Sequence, residues 1–189
     1  MTTLCAYGII ALFFFIEGRL RQGKAAKSFE TGKADQDSTK RIGQAFAAMF
    51  LLLLLAPILN TFHIGATAID GLGWIGVILM LVGLGLRIWA SRTLGAFYTR
   101  TLLIQTEQRI IDVGPYKVIR NPGYLGDLIM FISAGLAVMN WISAIVITLA
   151  MINAYVYRIR TEETMLQSAF GEQFAAYKMH TWRLFPLIY

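Results

Sequence analysis

Long apolar stretches separated by short polar segments dominate this sequence. Five such stretches lie at Thr3–Ile16, Ile42–Phe62, Leu72–Ala90, Tyr124–Asn140 and Trp141–Tyr157. A membrane-spanning helix needs about 20 mainly apolar residues, within a range of about 17–25. The second and third stretches meet this length outright, whereas the first is short. The pattern predicts an all-α integral membrane protein with about five transmembrane helices.

The last two apolar stretches adjoin at Met139–Trp141 and are together too long for one crossing. A polar Asn140 stands at their junction. We therefore predict that helices four and five form a tight hairpin that turns near Asn140. The whole chain, 1–189, is expected to form a single membrane domain, with helices one to three in 1–90 and the remaining helices in 91–189.

The positions of the basic residues predict the orientation of these helices. All 17 Lys and Arg residues fall within 19–41, 87–120 and 158–183, and none lies in the intervening turns or before the first helix. Loops rich in Lys and Arg stay in the cytoplasm, so the N-terminus is predicted outside. Four helices would leave one large basic segment outside, so the pattern favours five. The net charge of +6 then reflects topology, and no nucleic-acid partner is expected.

Two other features are better explained without chemistry. Gly71–Gly76 fits the pattern G-x-G-x-x-G, but here the pattern opens an apolar helix, whereas a dinucleotide site needs it between a strand and a helix. We therefore expect no Rossmann fold, and we assign these glycines to helix packing. His63 and His180 each lack a second His at ligand spacing, so no metal site is expected.

The polar segment before the fourth helix contains a turn and a helix start. Gly114-Pro115-Tyr116 is a turn signal. Pro122 suits the first turn of a helix, with Asn121 as its cap. A capped helix start would explain these residues by itself. The alternative is an anion or cofactor site, because Arg120 adds positive charge to the free N–H groups of a helix N-terminus.

Charged residues also follow the fifth helix. Arg158 and Glu162 are four residues apart and share a helix face, while Glu163 points about 100° further round. Both an interfacial ion pair and a ligand site fit this spacing. In helix four, Asp127 is costly unless it meets water, a cation or a polar pocket, so a solvated position and a functional one both stay open. The segment Phe170–Tyr189 is too short and polar to cross and is expected to cover the cytoplasmic face.

Taken in order, these motifs resemble the isoprenylcysteine carboxyl methyltransferase family and the related phospholipid N-methyltransferases. The family pattern is a Gly-Pro-Tyr turn, then Arg-His-Pro-x-Tyr-x-Gly, a hydrophobic hairpin and a Glu-Glu pair. This chain has Gly114-Pro115-Tyr116, then Arg-Asn-Pro-Gly-Tyr-Leu-Gly over Arg120–Gly126, and Glu162-Glu163 after the hairpin. The similarity runs from about Ser91 to Pro186 and includes the tail.

The resemblance implies an integral-membrane enzyme that takes a methyl group from S-adenosylmethionine and leaves S-adenosylhomocysteine. It implies a cytoplasmic cofactor pocket that the C-terminal tail covers, and it makes 91–189 the catalytic core. Asn121 stands where the family has His; because Asn cannot act as a base near neutral pH, we expect it to bind. The implied cofactor-binding residues are Gly114, Pro115, Tyr116, Arg120, Asn121, Pro122, Tyr124, Glu162 and Glu163, and the implied catalytic residues are Arg158, Glu162 and Glu163.

The acceptor of the methyl group is less defined. A carboxylate is already ionised near pH 7 and needs no base, so an Arg158 that orients it would suffice. An amine would need a base, for which Glu162 and Glu163 are the candidates. The resemblance favours a lipophilic carboxylate such as a prenylcysteine C-terminus. Methylation of N, O or S atoms of phospholipids or other small molecules stays an alternative, as do a membrane reductase and a transporter.

The expected partners are membrane lipid and a lipidic or prenylated acceptor, either a small molecule or a protein. We expect a multi-pass protein of a bacterial or archaeal inner membrane, or of the endoplasmic reticulum in a eukaryote. The active site is expected on the cytoplasmic side. The sequence does not indicate an oligomeric state.

Overall fold

A computed structural model of the chain describes residues 1–21, 35–98 and 109–186. Outside the helices, backbone pairing in these ranges is limited to isolated bridges, so the predicted all-α fold is confirmed. Most of the basic segment after the first helix lies outside the described residues. The helices are α1 (Thr2–Leu20), α2 (Ser38–Thr61), α3 (Leu72–Leu94), α4 (Pro122–Ala137), α5 (Trp141–Phe170) and α6 (Glu172–Met179), with short 3₁₀ turns at Gly95–Phe97 and Gly114–Lys117.

Four of these helices, α1, α2, α3 and α5, are long and apolar enough to cross a membrane. They make the chain a multi-pass membrane protein. Helix α4 has 16 residues, which is just below the length of about 17–25 that a crossing needs. The number of five crossings therefore stays a prediction, as does the orientation of the bundle.

Glycines bring α3 and α4 into direct backbone contact. A Cβ on Gly83 would lie 2.6 Å from the carbonyl oxygen of Gly126, and a Cβ on Gly126 would lie 2.7 Å from that of Gly83. Further along, a Cβ on Gly76 would lie 2.6 Å from the backbone nitrogen of Ala137. Small residues permit such close approach of membrane helices. The segment Gly71–Gly76 thus begins α3 and packs against α4, as its glycines predict.

The turn between α4 and α5 closes one end of the bundle, here called the loop end. Helix α4 ends at Ala137 and α5 begins at Trp141, which confirms the tight turn at Asn140. The Asn140 carboxamide accepts a hydrogen bond from the Ser143 backbone at 2.9 Å and donates to the Asn60 side chain at 2.8 Å. One side chain therefore caps α5 and ties the turn to the end of α2.

The other end of the bundle, here called the basic end, collects the C-terminal ends of α1, α3 and α5 and the N-terminal ends of α2 and α4. Within the described ranges, the Lys and Arg residues fall toward these helix ends or in the segments next to them. Helix α5 has 30 residues and is about 45 Å long at 1.5 Å per residue. Since a bilayer core is about 30 Å thick, its last turns extend beyond the core at the basic end. There α6 folds back and buries Phe174.

Candidate active site

A cavity of about 580 Å³ lies among the helices at the basic end. Its volume is typical of pockets that hold small-molecule ligands, which are about 300–1,000 Å³. All five long helices, the Gly114–Lys117 turn and α6 contribute to its lining. The polar lining forms three clusters. One apolar wall of the cavity contains Phe13, Phe14, Ile42, Phe46, Leu94 and Phe97, and further apolar contacts come from Ile110, Ile111, Leu166 and Phe174.

The first cluster joins the Arg-Asn-Pro motif to the C-terminal tail through Glu163. The Glu163 carboxylate accepts hydrogen bonds from Nε of Arg120 at 2.7 Å and from Nε of Arg183 at 2.9 Å. The side-chain amide of Asn121 donates to the same carboxylate at 3.3 Å and to the Arg183 carbonyl at 3.1 Å. Glu163 is 8% exposed. This tail cluster (Arg120, Asn121, Glu163 and Arg183) therefore fixes the tail against the start of α4.

The expected helix cap at Asn121 is correct in position but wrong in its contact. Asn121 occupies the N-cap position and Pro122 opens α4, yet the Asn121 side chain makes no capping hydrogen bond. The amide turns to Glu163 instead, because a hydrogen bond to a carboxylate is stronger than one to a neutral backbone group. Sequence spacing could not reveal this competition, since Glu163 is 42 residues away.

The tail lies across the Gly-Pro-Tyr turn. The backbone of Trp182 exchanges hydrogen bonds with Val118 and Arg120, each at 2.9 Å. The Tyr177 hydroxyl donates to the Tyr116 carbonyl at 2.7 Å. Burial raises the pKa of Tyr177, so the hydroxyl remains a donor at neutral pH. Aromatic rings of α6 line the cavity beside this contact.

The second cluster surrounds Arg158 on α5. Its Nε donates to the Tyr124 hydroxyl at 3.2 Å, and that hydroxyl donates to Glu162 at 2.5 Å. Arg158 is 5% exposed. Arg158 and Glu162, which share a helix face in the sequence, are thus connected through Tyr124, which lies on α4. A residue from the Arg-Asn-Pro motif and two from the end of α5 therefore contact one another beside the cavity.

The far side of the Arg158 guanidinium faces the start of α2. Its Nη1 lies 2.8 Å from Asp35 Oδ1, 2.8 Å from Ser38 Oγ and 3.0 Å from Thr39 Oγ1. Burial acts to raise the pKa of Asp35, but hydrogen bonds from Thr39 and Ser38 and the charge of Arg158 outweigh it and hold this pKa below its usual value. Asp35 is therefore ionised. The sequence pattern did not identify Asp35, because it lies in a mixed-charge segment remote from the motifs.

The third cluster is centred on Arg87 of α3. Its Nε binds Glu17 at 3.0 Å, its Nη1 lies 3.2 Å from Asp127, and its Nη2 donates to the Tyr98 hydroxyl. The Tyr98 hydroxyl also binds Glu17 at 2.6 Å, and Tyr155 donates to Asp127 at 2.8 Å. Burial raises the pKa of Tyr98 to about 12, so its hydroxyl stays protonated. The Arg87 cluster therefore links α1, α3, α4 and α5.

This cluster resolves the alternatives for Asp127. Asp127 is only 2% exposed, so the solvated position is wrong. Arg87 and Tyr155 both contact its Oδ2 atom, while Oδ1 has no hydrogen-bond partner among the described residues. Glu17 and Arg87 were missed in the sequence. A usable signal existed, because each is a charged residue within an otherwise apolar helix, and such residues are costly unless paired.

The predicted site residues divide into two groups. Three shape the backbone: Gly114 adopts a φ of +59°, while Pro115 and Pro122 are buried in the turn and at the start of α4. The other predicted residues all line the cavity, namely Tyr116, Arg120, Asn121, Tyr124, Arg158, Glu162 and Glu163. Within 1–21, 35–98 and 109–186, no three His, Cys, Asp or Glu residues are grouped to hold a metal ion. The structure therefore gathers both predicted motifs at one cavity.

Comparison with known proteins assigns the family. The phospholipid methyltransferase family model matches residues 72–173, which is more than half of the chain. The chain therefore belongs to this family. It is 33% identical over 122 residues to the protein-S-isoprenylcysteine O-methyltransferase of Dictyostelium discoideum, covering 62% of this chain and 51% of that protein. The resemblance to isoprenylcysteine carboxyl methyltransferases is thus confirmed.

Two further relatives widen the comparison. The cobalt-zinc-cadmium resistance protein CzcN of Cupriavidus metallidurans is 33% identical over 115 residues, covering 61% of this chain and 48% of that protein. The structure of the eukaryotic intramembrane Ras methyltransferase ICMT (isoprenylcysteine carboxyl methyltransferase) superposes with a TM-score of 0.70 at 24% identity, covering all of this chain and 68% of that one. The fold is therefore shared. The chain spans about half the length of the two sequence relatives.

Proposed function

We propose that this chain transfers a methyl group from S-adenosylmethionine to a lipophilic acceptor that bears a carboxylate, such as a prenylcysteine C-terminus. The observation that carries the proposal is the composition of one cavity. It combines the family motif residues, two buried arginines and an apolar wall formed by α1, α2 and the end of α3. Family membership supports methyl transfer, and the named relative in Dictyostelium supports the class of acceptor.

The motif side of the cavity suits the cofactor. S-adenosylmethionine carries a cationic sulfonium, an ammonium and a carboxylate, and when bound it supplies the methyl electrophile. Glu162 lines the cavity and is half-buried, and its Oε2 atom binds Tyr124. Glu163, in contrast, has both oxygens bound to arginines. We therefore assign charge compensation of the cofactor to Glu162, and positioning of the tail to Glu163.

The opposite side of the cavity suits a lipid chain. Gly18 of α1 and Gly43 of α2 both line it, and a Cβ built on either would meet no heavy atom within 4 Å. Phe14 and Phe46 stand on the same two helices, with their ring centroids 6.1 Å apart. An apolar chain can therefore lie between α1 and α2 while its polar end reaches the arginines.

The residue at the family His position favours a carboxylate acceptor. Asn121 replaces the family His and cannot take up a proton at neutral pH. A carboxylate acceptor is already ionised and needs only to be oriented. Arg158 suits that role, because guanidinium N–H groups form charge-assisted hydrogen bonds with carboxylates. Alignment and exclusion of water then supply the catalysis.

A matched pair of variants tests the assignment. Glu162→Gln removes a charge from the cavity and is expected to weaken S-adenosylhomocysteine binding about 10- to 100-fold, as loss of a hydrogen bond to a charged group does. Glu163→Gln is expected to weaken it less and to release the tail to limited proteolysis. Calorimetry on the purified protein in detergent measures the affinity, and Glu172→Gln, an exposed acid at the start of α6, is the control.

The reaction itself is tested with labelled S-adenosylmethionine and two acceptors, an S-farnesylcysteine derivative with a free carboxylate and phosphatidylethanolamine. Label on the prenylcysteine supports the proposal. Label on the phospholipid amine alone would show that the acceptor is an amine and not a carboxylate. Binding of NADPH without binding of S-adenosylhomocysteine would overturn methyl transfer and support a reductase.

A further inference from the structure

The start of α2 contributes an acidic side chain to the proposed active site from outside the family-matched region. We propose that Asp35 is a positioning residue, which holds the Arg158 guanidinium in the orientation that receives the acceptor carboxylate. This inference rests on the proposed function, because it assigns to Asp35 a role that acts through Arg158. The family model begins at residue 72, so the match itself assigns nothing to Asp35.

The contacts divide the guanidinium into two sides. Nη1 meets Asp35 at 2.8 Å, and Nε meets Tyr124 at 3.2 Å. The side chains of Arg158 and Asp35 are 6% and 2% exposed. A buried arginine that loses its partner acid is left with an uncompensated charge. Tyr124 connects Arg158 to Glu162, the carboxylate that we assign to the cofactor, so without Asp35 the charge of Arg158 would be balanced mainly from that side. Asp35 therefore keeps the acceptor arginine and the cofactor carboxylate apart.

Asp35 also organises the first turn of α2, and this second role can be separated from the first. Its Oδ2 accepts from the Thr39 backbone at 3.1 Å, and its Oδ1 accepts from Ser38 Oγ at 2.9 Å. Asparagine retains one carbonyl oxygen for such a contact and loses the negative charge. Asp35→Asn therefore tests the charge with limited damage to the helix start, whereas Asp35→Ala would remove both functions.

The same arrangement occurs at the other buried arginine. Glu17 of α1 binds Arg87 at 3.0 Å, and it also lies outside the matched region. Each buried arginine of the cavity thus receives an acid from the N-terminal helices. A role at a helix start would account for Asp35 but not for Glu17, which lies near the end of α1. What the two acids share is a contact with a buried arginine, and this shared contact supports a role in orienting the arginines.

The experiment measures kcat, acceptor KM and S-adenosylhomocysteine affinity for Asp35→Asn, with an S-farnesylcysteine derivative as the acceptor. A misplacement of about 1 Å can cost about 100-fold in rate, so we expect kcat to fall about 10- to 100-fold. The affinity for S-adenosylhomocysteine should stay within about twofold. The control is Asp37→Asn, an exposed acid on the same turn, which should keep the parent's kcat.

A double-mutant cycle with Arg158→Lys separates positioning from a general structural role. If Asp35 acts through Arg158, Asp35→Asn should have little further effect on kcat once Arg158→Lys is present. Additive losses would overturn the inference. Ser38→Ala offers a milder variant if Asp35→Asn fails to fold, with an expected loss of kcat of about fivefold; an unchanged kcat in this variant would also count against the inference.

The two proposals fail in different ways. An unchanged kcat in Arg158→Lys would reject the role of Arg158 and with it the proposed orientation of the acceptor. A large loss in Arg158→Lys beside an unchanged Asp35→Asn would leave the proposed function intact and reject only the role of Asp35.

Discussion

The N-terminal helices α1 and α2 and the motif-bearing helices α3 to α5 contribute different things to the same cavity. The family model matches only the second region, over residues 72–173, and that region carries Arg120, Tyr124, Arg158 and the glutamate pair. The first region adds Glu17 of α1 and Asp35 of the turn before α2, which pair with Arg87 and Arg158. It also adds four apolar residues of the lining, Phe13, Phe14, Ile42 and Phe46. Under the proposed function, the matched region would supply the side chains that contact the cofactor and the acceptor, and the two helices outside the match would orient them and select the acceptor.

The largest expected effect on stability comes from replacing Arg87, which pairs with an acid from each of the two regions. Arg87→Met would leave the buried Asp127 without Arg87 and would leave Glu17 with Arg21 as its remaining cation. Loss of one partner of a buried ion pair costs about 3–5 kcal/mol of stability. We expect a marked fall in the unfolding temperature in detergent. Arg92→Met on the same helix, at an exposed position, is the control and should leave that temperature close to the parent's. An equal fall in both variants would show that the Arg87 cluster does not join the regions.

The division of the cavity also shows what sequence could supply. The family resemblance pointed to Tyr116, Arg120, Asn121, Tyr124, Arg158, Glu162 and Glu163, which the structure gathers at one cavity. The apolar pattern located the five long helices. Both inferences depend on local order along the chain, and the roles of the site residues stay predictions. The partners of these residues were not predictable, since Glu163 meets Arg183 and Arg158 meets Asp35 only after folding, across 20 and 123 residues. Helix α1 also ends later than the apolar pattern predicts, at Leu20 and not at Ile16, because the charge of Glu17 is compensated within the fold.

A smaller effect is expected from narrowing the apolar side of the cavity. Gly18→Trp places a ring in the open space between α1 and α2. The substitution should raise the KM for a farnesylated acceptor about tenfold, because a loss of about 1.4 kcal/mol of binding free energy weakens affinity by that factor. The affinity for S-adenosylhomocysteine should not change, because the cofactor is assigned to the motif side. Gly85→Trp also enters open space, and it serves as the control because Gly85 does not line the cavity. Equal KM changes in both variants would remove α1 from acceptor selection.

The smallest expected effect concerns the glycine pattern that opens α3. Gly73 lies at the loop end, where an added Cβ would meet Thr2 Oγ1 at 2.8 Å and Met139 Sδ at 3.0 Å. Both are side-chain atoms, which can shift where backbone cannot, and Ala favours a helix over Gly by about 1 kcal/mol. Gly73→Ala should therefore change stability less than a substitution that meets backbone. Gly83→Ala is the informative comparison, because its Cβ would meet the Gly126 carbonyl oxygen at 2.6 Å. Backbone atoms cannot move aside as a side chain can, so this overpacking should lower the free energy of unfolding by about 1–3 kcal/mol. Neither substitution touches the cavity's charged groups, so calorimetry should find the parent's affinity for S-adenosylhomocysteine in Gly73→Ala. A selective loss of that affinity with an unchanged unfolding temperature would assign the G-x-G-x-x-G pattern to cofactor binding, and the division between the two regions would then have to include the loop end of α3.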